Sequence, residues 1–313
     1  MKNKSVVTGL LTFVITLVFT TIIAIIYLTT TAQARREKAQ SMVNAKAQTI
    51  ETAIANREYI TRILEIDISG NKGSISNEQF QIIAEELFDD NFDVVDITLA
   101  PDGMLSYMYP IDSGITEKFN LFEDGARGIY ADYSKMSGVP VIIAPTELSD
   151  GETGIIICRP IYTDYTVSED SFWGFASVTL NLSKFLSAVE LSSLHEAGYE
   201  YKLMGNSLIT GEDSMIAEDR EKDQSAPVSA MVSTVGGGYW TLFLSPKGNW
   251  MNPIEILGSM AIAIIISTLA GIAMANFVSM RANAKELEIL SYRDSLTNLY
   301  NPRSYQEHME ELS

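Results

Sequence analysis

Two stretches of this sequence carry no charge and are apolar almost throughout. Ser5 to Ala34 is one, with Val6 to Leu28 nearly all apolar or Thr, and Ile256 to Met280 is the other. A bilayer core of ~30 Å takes about 20 apolar helical residues, so either run is long enough to cross with some tilt. The first run ends in Ala32-Gln33-Ala34, which suits a signal-peptidase site. Its length exceeds the ~7–15 residues of a signal-peptide core, which favours an uncleaved anchor over a cleaved leader. Between the two runs the pattern is that of a folded domain. Val43, Ala47, Ile50 and Ile54 recur at helical spacing, and neither Gly nor Pro occurs before Gly70, so a long stalk helix is predicted over residues 32–66. Gly70-Asn71-Lys72-Gly73 breaks it, and Asn77 to Asp89 then places Phe80, Ile83, Ala84 and Leu87 on one face of a second helix.

The texture then changes to short apolar runs with turn punctuation. Val94 to Leu99 and Met104 to Tyr109 flank Pro101-Asp102-Gly103, a hairpin signal. Asp124 to Met136 reads as a short helix, and Val139 to Ala144, Gly154 to Tyr162 and Phe172 to Leu182 as further strands. Strands with helices to one side predict a mixed α+β domain on an antiparallel sheet. A second strand-rich part follows: Tyr199 to Met204, Ser229 to Val235 and Tyr239 to Ser245. The polar and charged segment Gly211 to Ser225 predicts a mobile loop between them.

Charge locates this domain. The net charge is −18, and 33 of the 40 acidic but only 16 of the 22 basic residues lie within 29–253. Such a surface repels phosphate backbones, so nucleic acid is not an expected partner. Arg281, Lys285 and Arg293 follow the second apolar run while only Lys247 shortly precedes it, which puts the C-terminus in the cytoplasm and 29–253 outside. The flanks of the first run, Lys2 and Lys4 against Arg35, Arg36 and Lys38, do not add to this. The lone Cys158 sits in the apolar stretch Ile155-Ile156-Ile157-Cys158, reads as a buried small hydrophobe, and leaves the redox compartment undiagnosed. His195 and His308 are the only histidines, lie in separate compartments, and form no metal-ligand spacing.

Several segments together resemble the CHASE extracytoplasmic sensor domain: Tyr109-Pro110, Pro145-Thr146-Glu147-Leu148, Gly154 with Arg159-Pro160-Ile161-Tyr162, and Trp173-Gly174-Phe175. Gly238-Tyr239-Trp240-Thr241-Leu242, with Pro246, Gly248 and Trp250 ahead of the second run, is similar to the end of such regions, so the resemblance covers roughly residues 40–250. A departure is Ser113 to Asn120, where the family often carries Asn-Glu…Gly. The resemblance implies a CHASE/double-Cache-like fold: a stalk helix carrying tandem PAS-like antiparallel sheets, the membrane-distal part at about 77–185 and the proximal part at about 190–250. It also implies a small ligand in the distal part, of unknown identity; no ligand residue transfers by motif, and the candidates are Tyr107, Arg159 and Tyr162 on the strands Met104–Tyr109 and Ile155–Tyr162, with Thr146.

The C-terminal segment is read in two pieces. Phe277, Met280, Ala284 and Leu287 alternate at three and four and suit a coiled-coil connector over 279–293, after a span at 256–278. Then Asp294, Leu296, Thr297, Leu299 and Asn301 resemble the opening motif of the GGDEF family, with Pro302 where Arg is usual. Locally, Asp294 would cap a following turn while Leu296 and Leu299 pack inward. The resemblance implies an output that makes cyclic di-GMP from GTP with Mg²⁺ across a dimer. The phosphate loop, metal carboxylates and Gly-Gly-Asp/Glu-Glu-Phe turn do not occur in 294–313, so no catalysis and no cofactor are expected of this chain itself.

The expectation is therefore an α+β bacterial inner-membrane protein with a cytoplasmic N-terminus (1–5), a first span at 6–28, an external sensor at 29–253, and a short helical stub. The function expected is a receptor, homodimeric through its stalk and connector. The alternatives are the sensor part of a histidine kinase or chemoreceptor, and an extracytoplasmic enzyme. His308-Met309-Glu310-Glu311 does not match a kinase phosphoacceptor helix, and no Gly-x-Ser-x-Gly, Cys/His pair or metal motif supports hydrolytic chemistry.

Overall fold

The computed structural model describes residues 2–111, 119–207, 209–219 and 226–292. In chain order the elements are α1 (Lys2–Gly70), α2 (Asn77–Asp89), β1 (Val94–Pro101), β2 (Tyr107–Tyr109), a 3-10 turn (Leu121–Glu123), α3 (Gly125–Ser137), β3 (Val141–Glu147), β4 (Thr153–Tyr162) and β5 (Phe172–Asn181). There follow α4 (Leu182–Ala188), α5 (Ser193–Glu196), β6 (Tyr199–Asn206), β7 (Asp213–Asp219), β8 (Val228–Ser233), β9 (Tyr239–Pro246) and α6 (Pro253–Tyr292). The chain divides into two compact units, Arg35–Trp250 and the pair of terminal segments Met1–Ala34 and Met251–Ser313.

In the terminal unit, the first part of α1 and most of α6 are each long and apolar enough to cross a membrane. Leu10, Phe19, Ile23, Leu257 and Ile265 are all half or more exposed on the outer faces of these helices. The two helices approach through small residues: a Cβ built on Gly9 would lie 2.8 Å from the Ala275 Cβ and from the Gly271 carbonyl oxygen. Thr20 Oγ1 and Ser267 Oγ meet at 3.4 Å. This is how helices associate where solvent offers no hydrophobic drive. Thr8, Thr12, Thr16 and Thr20 return their hydroxyls to carbonyls of their own helix, which satisfies these four donors within an apolar segment.

The Arg35–Trp250 unit holds two antiparallel sheets, of order β2-β1-β5-β4-β3 and β7-β6-β9-β8. The predicted hairpin forms at Pro101-Asp102-Gly103, though only Tyr107–Tyr109 of the expected second strand pairs with β1. Met104 instead bridges to Asn120. In the second sheet, Gly211 to Ser225 is not simply a loop, because Asp213–Asp219 is an edge strand beside β6. Ile216 is its buried residue, and the charges of Asp213, Glu218 and Asp219 suit an edge, where they discourage further pairing. Charge density hid a strand whose apolar content is one inward side chain.

The first sheet is covered on both faces. Ile97 and Leu99 of β1, Ile155, Ile157 and Arg159 of β4, and Val178 and Leu180 of β5 share one face by register. All are buried, as are Ile50, Ile54, Ile60, Leu64 and Ile68 of α1 and Phe80 of α2. The second helix starts with a capping box, Ser76 and Gln79 bonding each other's backbone, so its start matches the apolar pattern. On the other face Ala100, Val141, Cys158 and Phe175 pack with Ala131 of α3 and with Phe122, Tyr130 and Phe172.

Gly174 sits on β5 at φ +148, opposite Pro101, and a Cβ there would lie 2.2 Å from the Ala100 carbonyl oxygen. Gly174→Ala is expected to destabilise by at least ~1–3 kcal/mol, lowering Tm by several degrees. Gly70→Ala, at the end of α1 with open space around it, is expected to leave Tm unchanged or slightly raised. Thermal unfolding of the two detergent-solubilised variants checks this ordering.

Candidate functional site

Strand alternation gives the first sheet two chemically different faces. On the helix side, β4 sends Arg159 into α1. Its Nη1 bonds Glu65 Oε2 at 2.9 Å, its Nε bonds Thr61 Oγ1 at 3.2 Å, and its Nη2 pairs with Glu58. Arg62 joins Glu65 at 2.8 Å, and Arg57 holds the fully buried Asp93 at the head of β1 through Nη2 at 2.9 Å. Burial lowers the Arg159 pKa from its usual value, and the two carboxylates replace the water it has lost.

On the opposite face the sheet carries a polar block. Asp96 of β1 lies directly across from Thr179 of β5, and Thr98 across from Ser177. The next strand places Ile156 beside Thr179 and Cys158 beside Ser177. Asp96, Thr98, Ser177 and Thr179 are each only 6–8% exposed. Burial pushes the Asp96 carboxyl up from 3.8 to about 6, opposed in part by the Thr179 hydroxyl. Among the described residues Asp96 has no ion-pair partner. Burial also pushes the Cys158 thiol up to about 12, with Ser177 opposing, so this thiol is protonated and inert.

An apolar wall adjoins this block. The Phe172 and Phe175 rings meet at 5.2 Å, Phe122 and Phe175 at 5.5 Å, and Tyr162 and Phe172 at 5.7 Å. Lys135 of α3 sets its ammonium 4.8 Å from the Phe172 ring and 5.6 Å from Phe122. The Tyr162 hydroxyl donates to the Lys135 carbonyl. Sheet, α3 and the 3-10 turn are thereby tied together.

The four residues singled out from sequence are not gathered at one point. Tyr107 stands against α2, its ring 5.7 Å from Phe80 and its hydroxyl donating to the Ile75 carbonyl at 3.3 Å. Arg159 is engaged with α1, and Tyr162 belongs to the α3 face. Thr146 is half-buried on β3 opposite Gly154. The residues that do form a block, Asp96, Thr98, Ser177 and Thr179, had a signal in the sequence. Asp96-x-Thr98 and Ser177-x-Thr179 each put polar side chains two apart inside strands that are otherwise apolar. Asp294, Leu296, Thr297, Leu299 and Asn301, together with Ser113 to Lys118, lie outside the described residues.

The block is a set of buried polar side chains facing one another. One carboxylate and three hydroxyls in a low-dielectric setting can hold a small polar molecule. His195 is remote and exposed, with Nδ1 2.6 Å from Asp219 Oδ2 and Nε2 2.7 Å from Lys247 Nζ. Among the described residues no group of three or more His, Cys, Asp or Glu is placed to hold a metal ion.

No protein-family model matches the chain, and no curated protein matches it. Solved structures with similar shape include the ligand-binding domain of the Pseudomonas aeruginosa PAO1 amino acid chemoreceptor PctC in complex with GABA. It has a TM-score of 0.49 at 12% identity, covering 67% of this chain and 98% of that one. The corresponding domain of PctB from the same organism, in complex with L-Arg, gives 0.48 at 15% identity over 68% and 95%. That of the Campylobacter jejuni chemoreceptor Tlp3, in complex with L-valine, gives 0.48 at 12% over 74% and 97%. Each of these three TM-scores is below 0.5, so the function proposed below rests on the chain's own residues.

Two substitutions should separate the faces. Arg159→Met leaves Glu58 and Glu65 without their shared cation, and removing one partner of a buried pair costs about 3–5 kcal/mol, read as a large fall in Tm. Asp96→Asn should stabilise near neutral pH. A carboxyl whose folded pKa is raised contributes stability that is present below its unfolded value and lost as pH rises through about 6. A shift of about 2 units corresponds to about 3 kcal/mol. The Tm gain of Asp96→Asn over the natural chain is therefore expected to be larger near pH 7.5 than near pH 4.5 (about 3 kcal/mol as an upper figure). An equal gain at both would show that the carboxyl is not buried as described.

Proposed function

We propose that this chain is a transmembrane sensing receptor, held by two spans in a bacterial inner membrane with both termini in the cytoplasm. Residues 29–253 form its external sensor, and a small ligand binds on the α3 side of the first sheet. The observation that carries the reading is Asp96: a buried carboxylate with no ion pair among the described residues, hydrogen-bonded by the Thr179 hydroxyl and sharing its sheet face with Thr98 and Ser177. A protein that gained nothing from Asp96 would lose stability by keeping it, since an uncompensated buried charge is expensive. A ligand with an ammonium or similar hydrogen-bond-donating group would satisfy the carboxylate and hydroxyls together, and the acidic domain attracts such cations.

The route inward is the helix that the same sheet holds by its other face. α1 is one helix from Lys2 to Gly70, and its N-terminal part is the first apolar span. α6 continues past its apolar segment to Tyr292. The finer reading is a CHASE-type sensor controlling a GGDEF output as a homodimer. It is supported by the order of the Tyr109-Pro110, Pro145–Leu148, Arg159–Tyr162 and Trp173–Phe175 segments and by Asp294, Leu296, Thr297, Leu299 and Asn301. GTP and Mg²⁺ would belong to that output, and no described residue is assigned to them.

The test is binding by the full chain in lipid nanodiscs, screened by thermal shift against amino acids, amines, purines and matched carboxylic acids. A binder should raise Tm with concentration, because it stabilises only the folded state. Asp96→Asn should weaken an amine-bearing binder by roughly tenfold or more, as loss of a charge-assisted bond would. Affinity should also fall as pH drops below about 6, where Asp96 takes up a proton. Binding indifferent to Asp96→Asn would move the site elsewhere, and a stable chain with no binder in the panel would remove the small-molecule reading.

A further inference from the structure

Among the described residues the two sheets end in four edge strands, and three of them are guarded. β2 is three residues long, and β3 carries Pro145 with a register shift between Ile143 and Thr146. β7 carries Asp213, Glu218 and Asp219 and is bulged at Ile216. Short length, proline, bulges and charge are the devices by which edges avoid pairing with other chains. β8 has none of them. Its six residues, Val-Ser-Ala-Met-Val-Ser, include no charge and no proline, and they pair with β9 in unbroken register. α1 runs beside this edge without closing it, and a cleft of about 710 Å³ lies between them. Asn44, Gln48, Glu51 and Thr52 of α1 form one wall and Ser229 and Met231 of β8 the other, with three alanines between. At one end the helix reaches the strand, where Gln40 Nε2 donates to the Ser229 carbonyl at 2.8 Å. A side-chain amide there does what the N–H of a neighbouring strand would do. The Gln48 carboxamide and the Glu51 carboxylate make no hydrogen bond or ion pair of their own among the described residues.

We infer that this cleft takes an extended segment of another polypeptide, which adds a strand to β8 and sets a Lys or Arg beside Glu51. Main-chain bonds to an open sheet edge supply affinity in this mode, and the groups around the edge supply selectivity. The dimensions fit an extended occupant. Residues 44–55 of α1 span about 17 Å at ~1.5 Å per residue, the length of about five residues of strand. Charge selects a basic segment, since Glu51 is the one ionisable residue lining the cleft and 33 acidic residues stand against 16 basic ones within 29–253. Met231, 66% exposed, is a flexible and polarizable side chain that adapts to varied neighbours. The helical wall argues for a single strand as occupant, because the β8 edge of a second copy is walled by its own α1. This cleft belongs to the second sheet and shares no residue with the Asp96 block on the first.

The experiment uses the full chain in lipid nanodiscs and an array of randomised pentapeptides. One set holds Lys or Arg at its central position and a matched set holds Glu there. The basic set is expected to yield binders and the acidic set none. For the strongest binder, Glu51→Gln should weaken binding about twofold to fivefold, as loss of one exposed ion pair does, and Glu51→Lys by more. Methylating alternate backbone nitrogens of that peptide, in one of the two possible phases, should weaken it roughly tenfold or more, because strand pairing uses every second N–H. Hydrogen exchange across Val228–Ser233 should slow in the bound state. Asp150→Asn, between β3 and β4, is the control that leaves binding unchanged, and Glu51 and Asp150 are both exposed, so Tm should hold in all three variants. Equal binding by the acidic set, indifference to both Glu51 variants, unchanged exchange across β8, or an array without a binder would each overturn the inference. A second copy at this edge would instead give Ser233→Cys chains that mild oxidation joins into a species of twice 34.5 kDa, and that product would overturn it too.

Discussion

The buried Arg159 cluster is the constraint on which the sensor unit's geometry depends. A guanidinium 9% exposed between a strand and a helix is tolerable only while Glu58, Thr61 and Glu65 all face it. Those three positions fall on one side of α1 at helical spacing, so the ion cluster fixes both the rotation and the height of the helix against β4. Apolar packing by Ile60, Leu64 and Ile68 would hold the same helix with less discrimination, since hydrophobic contact is non-directional. The Arg57–Asp93 pair pins the same helix to the start of β1, so two ion clusters tie it to two strands of one sheet.

Much of this architecture was legible in the chain, and the misses have identifiable causes. The apolar runs, the second helix from the face of Phe80, Ile83, Ala84 and Leu87, and most of the strands along the chain could be read because each agrees with one dominant period. β7 was obscured because an edge strand buries little beyond Ile216, so its charges outweigh its alternation. Arg159 was singled out as a candidate ligand contact on the strand Ile155–Tyr162. Alternation alone cannot say which face of β4 meets the stalk, and that choice separates a clamp from a ligand contact. Asp96 escaped notice for the converse reason: within Val94–Leu99 one acidic residue reads as the solvent side of a half-buried strand. That face is closed too, which becomes visible only when α3 and the aromatic cluster are placed above it.

The two buried charges have opposite energetics. Arg159 has partners, and its removal would strand Glu58 and leave Glu65 with Arg62 alone, so it belongs to the structure's stability. Asp96 has none among the described residues, and its neutralisation would relieve the fold. Local inconsistency of this second kind is where function is expected, because a protein retains a destabilising group only against some gain. The difference does not depend on burial, which is nearly equal at 9% and 7%, but on whether the surrounding elements supply the countercharge.

The two sites are close in the chain's own logic. Asp96 lies across from Thr179, Thr179 across from Ile156, and three residues along β4 comes Arg159, on the opposite face and in the grip of α1. A ligand that draws β1 and β5 together around a neutralised Asp96 acts on the strands whose other face positions the stalk. Such a ligand moves the helix only if it binds more tightly to one arrangement of β4 and α1 than to another. Asp96 supplies a physical source for that difference, because the cost of its buried charge depends on how closely the hydroxyls and the ligand surround it. The clamp supplies the other half, since the Arg57–Asp93 and Arg159–Glu65 pairs, each at 2.9 Å, make α1 follow the sheet and do not let it slip past. A sheet with one strained face and one rigidly attached face is therefore suited to converting occupancy into displacement.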